Sequence, residues 1–285
     1  MVNEVKLPGL NIELAGHLIR LKWHCLRRDG NDPPFSARRL GEGFKEGASM
    51  EIDLRRHGEN GFVLMHDATL DRETNGRGAL GGTSTNELSK LYMRCPDGAI
   101  SEVRPILFED LFFLLPTTVH ERSLIQIDIK EQANNINDKM IRRFQESISG
   151  FEKYCVLSGD DWTAVKLLAL GNSELSLGFD TDSLLTPETT SSSGLILDFV
   201  DDTLVEAGNA EWIYLRLSVI LHAQKLNIDI VELFHKANKK VDTWTFNPEI
   251  PDALNILRKI IAAGVDQITT DDSGAVHKMA RTLLL

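Results

Sequence analysis

The segment SLIQIDIK, residues 123–130, gives the clearest indication of the fold. Its aliphatic residues form the nearly continuous apolar run of a strand buried on both faces of a parallel sheet. Similar runs recur along the chain, and amphipathic segments of helical period separate most of them, which predicts repeated βα units. The other predicted strands are LKWHCL (21–26), SMEIDLR (49–55), GFVLMHD (61–67), KYCVLSG (153–159), ELSLGFD (174–180), WIYLRL (212–217), VDTWTFN (241–247) and VDQITTDD (265–272).

The number of strands predicts a (β/α)₈ TIM barrel of the α/β class. SMEIDLR and GFVLMHD are joined through HGEN, which is typical of a hairpin turn, so we count them as one position and arrive at about eight strands. A doubly wound open sheet is the alternative, but no G-x-G-x-x-G follows the first strand. We expect one domain over residues 1–285, with a loop or small insertion at 68–104. The predicted helices cover residues 35–47, 136–148, 162–170, 223–237 and 251–263.

Charge and cysteine content restrict the partners and the compartment. A net charge of −11 argues against a nucleic-acid-binding face, which needs concentrated Lys and Arg. The three cysteines fit neither a disulfide framework nor a zinc motif, and no signal-peptide or membrane-spanning stretch is seen. We therefore expect a cytoplasmic protein without integral membrane association that acts on a small molecule; the sequence does not set its oligomeric state. One basic cluster, suited to a small anion, consists of Arg27, Arg28, Arg38 and Arg39.

Acidic residues on two predicted strands indicate a metal site. Glu51 and Asp53 lie two residues apart, so both project to the same face of their strand. Carboxylates side by side repel each other unless a cation lies between them, and oxygen ligands favour Mg²⁺ or Ca²⁺. Asp128 on SLIQIDIK could complete the site, with Lys130 neutralising a phosphate oxygen or orienting the acids. The alternatives are a solvated strand end for the acids and a salt bridge for Lys130.

Two histidines are candidates for acid–base catalysis. His66 and Asp67 end the run GFVLM, where a barrel strand should meet the loop that carries the chemistry. His24 is predicted to lie inside the strand LKWHCL, next to the basic cluster. A purely structural role is the alternative for each. Cys25 should face away from His24, because neighbours on a strand alternate, and this argues against a Cys/His nucleophile.

Taken in order, His24, EID, GFVLMHDATLDRETNGRG, TNELSKL, RPILFEDL, IDIK, WTFN and GVDQITTDD resemble the glycerophosphodiester phosphodiesterase family over nearly the whole chain. Members are TIM barrels of the phospholipase C-like type. The resemblance implies a phosphoric diester hydrolase with a role in lipid metabolism and one divalent cation, Mg²⁺ or Ca²⁺. It assigns catalysis to His24, His66 and Lys130, metal binding to Glu51, Asp53 and Asp128, and substrate binding to Trp244.

The resemblance also implies a mechanism for hydrolysing a small glycerophosphodiester to a phosphomonoester and an alcohol. A hydroxyl next to the esterified carbon attacks phosphorus, one histidine takes its proton, and the other protonates the leaving alkoxide. A cyclic phosphate is the expected intermediate.

The first loop departs from the family pattern. The family's H-R-G is here His24-Cys25-Leu26, so Arg27 or Arg28 is expected to replace the phosphate-binding arginine. Its P-E-N-T/S signature is reduced to Pro34-Phe35-Ser36, and Asp128 stands where Glu is usual. These changes leave three alternatives open: a phosphodiesterase for a sugar-phosphate diester such as an agrocinopine-like opine, a sphingomyelinase D-like phospholipase, and a non-catalytic phosphate-binding barrel.

Overall fold

A computed structural model describes residues 9–14, 16–115 and 117–283. Within these ranges the chain forms ten strands. They are β1 (Asn11–Leu14), β2 (His17–Trp23), β3 (Ser49–Arg56), β4 (Phe62–Leu64), β5 (Leu124–Ile129), β6 (Cys155–Gly159), β7 (Ser176–Asp180), β8 (Trp212–Arg216), β9 (Lys240–Trp244) and β10 (Gln267–Thr270).

Eight of these strands close into a parallel barrel. The order β2-β3-β5-β6-β7-β8-β9-β10 returns to its start because β10 pairs with β2 in parallel register. The other two strands lie outside the closed ring: β1 runs antiparallel to β2, and β4 runs antiparallel to β3. The predicted barrel is therefore confirmed, and so is the hairpin that joins the second and third predicted strands.

Helices surround the barrel: α1 (Ala37–Glu46), α2 (Thr85–Leu88), α3 (Asp138–Ile148), α4 (Trp162–Leu168), α5 (Ser193–Ala207), α6 (Leu217–Lys225), α7 (Ile230–Lys236), α8 (Ala253–Ala262) and α9 (Ser273–Leu283). The single helix predicted over 223–237 is wrong. Asn227 has φ 57°, which ends α6, and the Asp229 side chain then accepts the Glu232 N–H to begin α7. In the described part of the chain, no helix has both the length and the apolar character of a bilayer span.

The core lies between the barrel and its helices in two large clusters. One joins β3, β5 and β6 to α1, α3 and α4, and includes Met50, Ile127 and Phe144. The other joins the strands from β8 to β10 to the later helices, and includes Ile213 and Leu257. Residues 68–104 form the predicted insertion, which contains the short helix α2 and is held by short bridges such as Thr74 with Met93. Burial of these apolar faces fixes the strand order and thereby the barrel mouth.

The barrel interior is polar. Lys22 is 2% exposed and its Nζ lies 3.1 Å from Oδ2 of the fully buried Asp242. Lys22 also donates to the Gln126 side chain, and Gln126 Nε2 donates to Ser158 Oγ at 2.8 Å. Ser158 Oγ in turn donates to Asp128 Oδ1 at 2.7 Å. A hydrogen-bonded chain therefore connects the centre of the barrel to a carboxylate at its mouth.

Candidate active site

The first loop folds differently from the predicted strand. The strand β2 ends at Trp23, and His24–Leu26 form a 3₁₀ turn in which Cys25 and Leu26 have φ values of 52° and 59°. A left-handed backbone cannot continue a strand, so the prediction that His24 lies inside a strand is wrong. The turn is fixed by the Phe35 N–H, which donates to the Cys25 carbonyl at 2.9 Å.

Cys25 also lies elsewhere than predicted. Its backbone N–H donates to Glu51 Oε2 at 2.6 Å, and its Sγ lies 3.5 Å from Asp53 Oδ2. The alternation of a strand does not apply in a turn, so Cys25 and His24 reach the same cavity and the expected separation is wrong. Burial, followed by the charges of Glu51 and Asp53, raises the pKa of the Cys25 thiol.

The three predicted metal-binding acids form one buried group. Glu51 and Asp53 share a face of β3. Asp128, on the neighbouring strand β5, lies directly opposite Asp53 in the parallel register. The three are 4%, 1% and 6% exposed, and one oxygen from each lies within 4.8 Å of the others. A solvated strand end is therefore excluded. Burial and then the charge of Asp128 raise the pKa of Glu51, while burial and then the charge of Glu51 raise the pKa of Asp53.

Lys130 partly balances these acids. Its Nζ lies 2.6 Å from Asp128 Oδ2, 3.6 Å from Asp53 Oδ1 and 3.3 Å from Asp160 Oδ1. Burial opposes ionisation of Asp128. The charge of Lys130 and the hydrogen bonds from Lys130 and Ser158 outweigh this effect of burial and lower the Asp128 pKa. One lysine does not neutralise three buried carboxylates, so the group is suited to a divalent cation with hard oxygen ligands.

His24 is oriented by a residue that sequence reasoning did not single out. Its Nδ1 lies 2.6 Å from Asp271 Oδ1, and Asn247 Nδ2 donates to Asp271 Oδ2 at 2.7 Å. Burial opposes ionisation of Asp271, but the hydrogen bond with His24 outweighs it and lowers the pKa to about 2. Asp271 lies in GVDQITTDD, a segment already matched to the family, yet its partner is 247 positions away.

His66 has a comparable partner close in sequence. The strand β4 returns beside β3, so His66 comes back towards Asp53 instead of ending a barrel strand. Its Nδ1 lies 2.9 Å from Asp67 Oδ1, and Arg72 holds Asp67 through two hydrogen bonds of 2.6 Å. Hydrogen bonding by Arg72 lowers the pKa of Asp67 to about 2, although burial opposes this. In both histidines Nδ1 is paired with a carboxylate, which leaves Nε2 for a substrate.

Both histidines line a cavity of about 470 Å³ at the barrel mouth. Arg27 also lines it, although Arg27 is paired with Asp271. Two further arginines, Arg72 and Arg94, reach the cavity from the insertion. Sequence reasoning did not select them, and the only signal was the arginine content of residues 68–104 at a strand end.

The structure does not bring the other two predicted substrate-binding residues to this cavity. Arg28 pairs with Glu46 Oε2 at 3.0 Å, and its guanidinium lies 5.1 Å from the ring centroid of Trp23. Trp244 ends β9, and the guanidinium of Arg216 lies 5.5 Å from its ring centroid. Neither side chain lines the cavity that holds the histidines.

The closed parallel barrel carries two histidines, each paired with an aspartate, and a buried acidic group at its mouth, which is the arrangement of a (β/α)₈-barrel enzyme. The model of the glycerophosphoryl diester phosphodiesterase family matches residues 39–275. The chain belongs to this family and is a phosphoric diester hydrolase.

Individual proteins resemble this chain in sequence or in fold. A glycerophosphodiester phosphodiesterase of Caldanaerobacter subterraneus is 26% identical over 246 residues, which cover 83% of this chain and 86% of that protein. The glycerophosphodiester phosphodiesterase of Thermotoga maritima has a similar structure, with a TM-score of 0.63 and 20% identity. The match covers 92% of this chain and 99% of that protein. An Oleispira antarctica phosphodiesterase, solved with the product sn-glycerol-3-phosphate, has a TM-score of 0.61 and 14% identity. The match covers 92% of this chain and 96% of that protein. The three alternatives raised by the first loop are not favoured.

Proposed function

We propose that this enzyme hydrolyses a small glycerophosphodiester to a phosphomonoester and an alcohol, with His24 and His66 as its acid–base pair. The observation that carries the proposal is that both rings line one cavity, each held at Nδ1 by a carboxylate, beside three buried acids. The glycerol phosphate bound to the Oleispira antarctica phosphodiesterase supports a substrate of this class.

The two histidines would exchange protons through Nε2. A substrate hydroxyl next to the esterified carbon attacks phosphorus and gives its proton to one ring, while the other ring protonates the departing alkoxide. The P–O bond to the leaving alcohol breaks as the bond to the attacking oxygen forms, which yields a cyclic phosphate. Water then opens the ring with the proton transfers reversed, and the product is a phosphomonoester. General acid–base catalysis of this kind contributes about 10²–10⁴-fold to the rate.

Glu51, Asp53 and Asp128 would hold one divalent cation, Mg²⁺ or Ca²⁺. When bound, the cation would offset negative charge on the phosphoryl oxygens. Lys130 holds the oxygens of Asp53 and Asp128 in place and contributes positive charge beside them. Arg27, which lines the cavity, is the candidate to replace the family's first-loop arginine as a phosphate contact.

The test is release of phosphomonoester from glycerophosphocholine with Mg²⁺ or Ca²⁺ present. We expect His24→Ala and His66→Ala each to reduce the rate at least about 100-fold, and EDTA to abolish activity. His222→Ala is the matched control, because this ring lies on the outer helix α6 and contacts the Ser218 carbonyl. Phosphorus NMR should detect the cyclic phosphate during turnover. Activity that survives both EDTA and the two active-site substitutions would contradict the proposal.

A further inference from the structure

Among the residues that the structure describes, the mouth of the barrel contains two sets of candidate metal ligands, and they share Glu51. One is the acidic group formed with Asp53 and Asp128; the other consists of His24, Cys25 and Glu51, again with one ligand atom from each within 4.8 Å of the others. The second set combines nitrogen, sulfur and oxygen, whereas the first offers oxygen only. The cysteine occupies the position of the arginine in the family's H-R-G.

The backbone holds the Cys25 thiol against the acids. The positive φ of Cys25, its N–H bond to Glu51 Oε2 and the Phe35 N–H bond to its carbonyl fix the turn at three points. The side chain is 8% exposed and Sγ lies 3.5 Å from Asp53 Oδ2. The thiol is therefore positioned before any cation arrives, and little ordering is needed for it to become a ligand.

The contact between His24 and Asp271 is the second observation that points to a ligand. Metal-binding histidines commonly pair their other ring nitrogen with a carboxylate, which fixes the ring and increases its basicity. His24 has this arrangement, with Nδ1 2.6 Å from Asp271 Oδ1. Imidazole, thiolate and carboxylate together suit Zn²⁺, which takes three protein ligands and a water at an open site. Mg²⁺ and Ca²⁺ prefer oxygen alone.

We propose that His24, Cys25 and Glu51 form a second cation site for a borderline ion such as Zn²⁺ or Co²⁺, and that its occupation inhibits the enzyme. The inhibition rests on the proposed function, because it follows from removing His24 from proton transfer. On binding, the Cys25 S–H bond breaks, sulfur bonds to the ion, and the proton passes to solvent. The shared Glu51 makes this site compete with a hard ion at the acidic group.

Cobalt spectroscopy tests the thiolate directly, without reference to activity. Added Co²⁺ should produce a near-ultraviolet sulfur-to-cobalt charge-transfer band in the wild-type protein and in Cys95→Ser, and no band in Cys25→Ser. Cys95 is the matched control because it lines the same cavity but belongs to neither ligand set. Calorimetry should show Co²⁺ affinity falling at least about tenfold in Cys25→Ser, the loss expected even when a group that only orients a ligand is removed.

X-ray absorption of the Zn²⁺-loaded wild-type protein serves as a second measurement that needs no substitution. We expect one sulfur neighbour at about 2.3 Å. Only oxygen and nitrogen neighbours, a Co²⁺ complex without the band, or a band that persists in Cys25→Ser would each overturn the second site. Hydrolysis with Mg²⁺ or Ca²⁺ alone is scored separately, so the proposed function can stand while this inference fails, or the reverse.

Zn²⁺ inhibition completes the test. Zn²⁺ added to the enzyme assayed with Mg²⁺ should inhibit the wild-type protein and Cys95→Ser at the same concentration. Cys25→Ser, measured relative to its own uninhibited rate, should require at least about tenfold more Zn²⁺. Equal sensitivity of all three proteins would contradict a Cys25-dependent inhibitory site.

Discussion

Replacing Lys22 by Met should destabilise the barrel by breaking an ion pair at its centre. Lys22 Nζ lies 3.1 Å from Asp242 Oδ2, and the two side chains are 2% and 0% exposed. The ammonium group also lies 4.5 Å from the ring centroid of Tyr214 and donates to Gln126. Methionine occupies a similar volume, so the substitution removes the charge while changing the packing little.

The magnitude follows from the geometry of this pair. Unit charges 3.1 Å apart attract by about 5 kcal/mol at an effective dielectric constant of about 20. Removing one partner of a buried pair costs about 3–5 kcal/mol. Asp242 keeps hydrogen bonds of 2.8 Å from Gln267 and Thr269, so we expect a loss of about 3–4 kcal/mol in the free energy of unfolding.

The loss should depend on pH. Burial raises the pKa of Asp242, and Lys22 is the charge that opposes this rise. Without Lys22 the folded-state pKa moves further above the unfolded value. A carboxyl group whose pKa is raised by folding does not reduce stability below its unfolded-state pKa. The loss of stability grows as pH rises from the unfolded-state pKa through the folded-state pKa. The deficit of Lys22→Met should therefore be larger at pH 8 than at pH 5.

Urea unfolding followed by tryptophan fluorescence and far-ultraviolet circular dichroism provides the measurement, and coincident curves justify a two-state free energy. The double variant Lys22→Met/Asp242→Asn removes the orphaned charge and should recover at least about half of the loss. Lys240→Met on β9 is the control: its pair with Glu211 is 50% and 41% exposed, so we expect a change below about 1 kcal/mol. A single variant as stable as the control, or a double variant no more stable than the single, would refute the reasoning.

Three further substitutions test the acidic side of the mouth. Burial and then the charge of Asp128 raise the pKa of Asp180 from 3.8 to about 7. The raised pKa reduces the free energy of unfolding by at most about 4 kcal/mol above pH 7. In EDTA, Asp180→Asn should therefore melt at a higher temperature than the wild-type protein at pH 8 and at the same temperature at pH 4. Equal melting temperatures of the two proteins at both pH values would count against this destabilising role of Asp180. Ser158→Ala removes the 2.7 Å bond to Asp128 and should weaken Mg²⁺ or Ca²⁺ binding about 10–100-fold in calorimetry, and retained affinity would show that Ser158 does not position the acid. Asp53→Asn should also weaken binding, since a neutral amide attracts a hard cation less, and unchanged affinity would remove Asp53 from the ligand set.

The barrel and its acids could be predicted because local patterns decide them. A period of two places Glu51 and Asp53 on one face of a strand wherever that strand lies, and parallel neighbours bring Asp128 to the same level. His66 and Asp67 are adjacent in sequence, so the hydrogen bond between them depends on no long-range contact. Helix α6 ended unexpectedly because the φ of 57° at Asn227 depends on a side chain that tolerates left-handed backbone, which an apolar periodicity does not report.

The first loop could not be predicted because distant residues fix it. Cys25 takes its left-handed conformation in a turn fixed by hydrogen bonds with Glu51 and Phe35, and the apolar run LKWHCL gives no sign of either. The same loop needs β10 beside β2 before Asp271 can reach His24. These are long-range contacts, which periodicity cannot encode. The least predictable part of the site is therefore the first-loop turn, His24–Leu26.

The arginines that line the cavity come from the first loop and from residues 68–104. Arg28 pairs with Glu46, and Arg27, the candidate phosphate contact, shares its charge with Asp271, so the loop offers less positive charge than two unpaired arginines would. Arg94 from the insertion lines the same cavity and donates to the uncharged carbonyls of Thr74 and Gly98. Hydrogen bonds to neutral carbonyls leave the guanidinium charge uncompensated, whereas a carboxylate partner would cancel it. Among the described residues, positive charge without a carboxylate partner is therefore found in this cavity on Arg94 of residues 68–104, whereas Arg27 and Arg28 of the first loop are both paired with carboxylates.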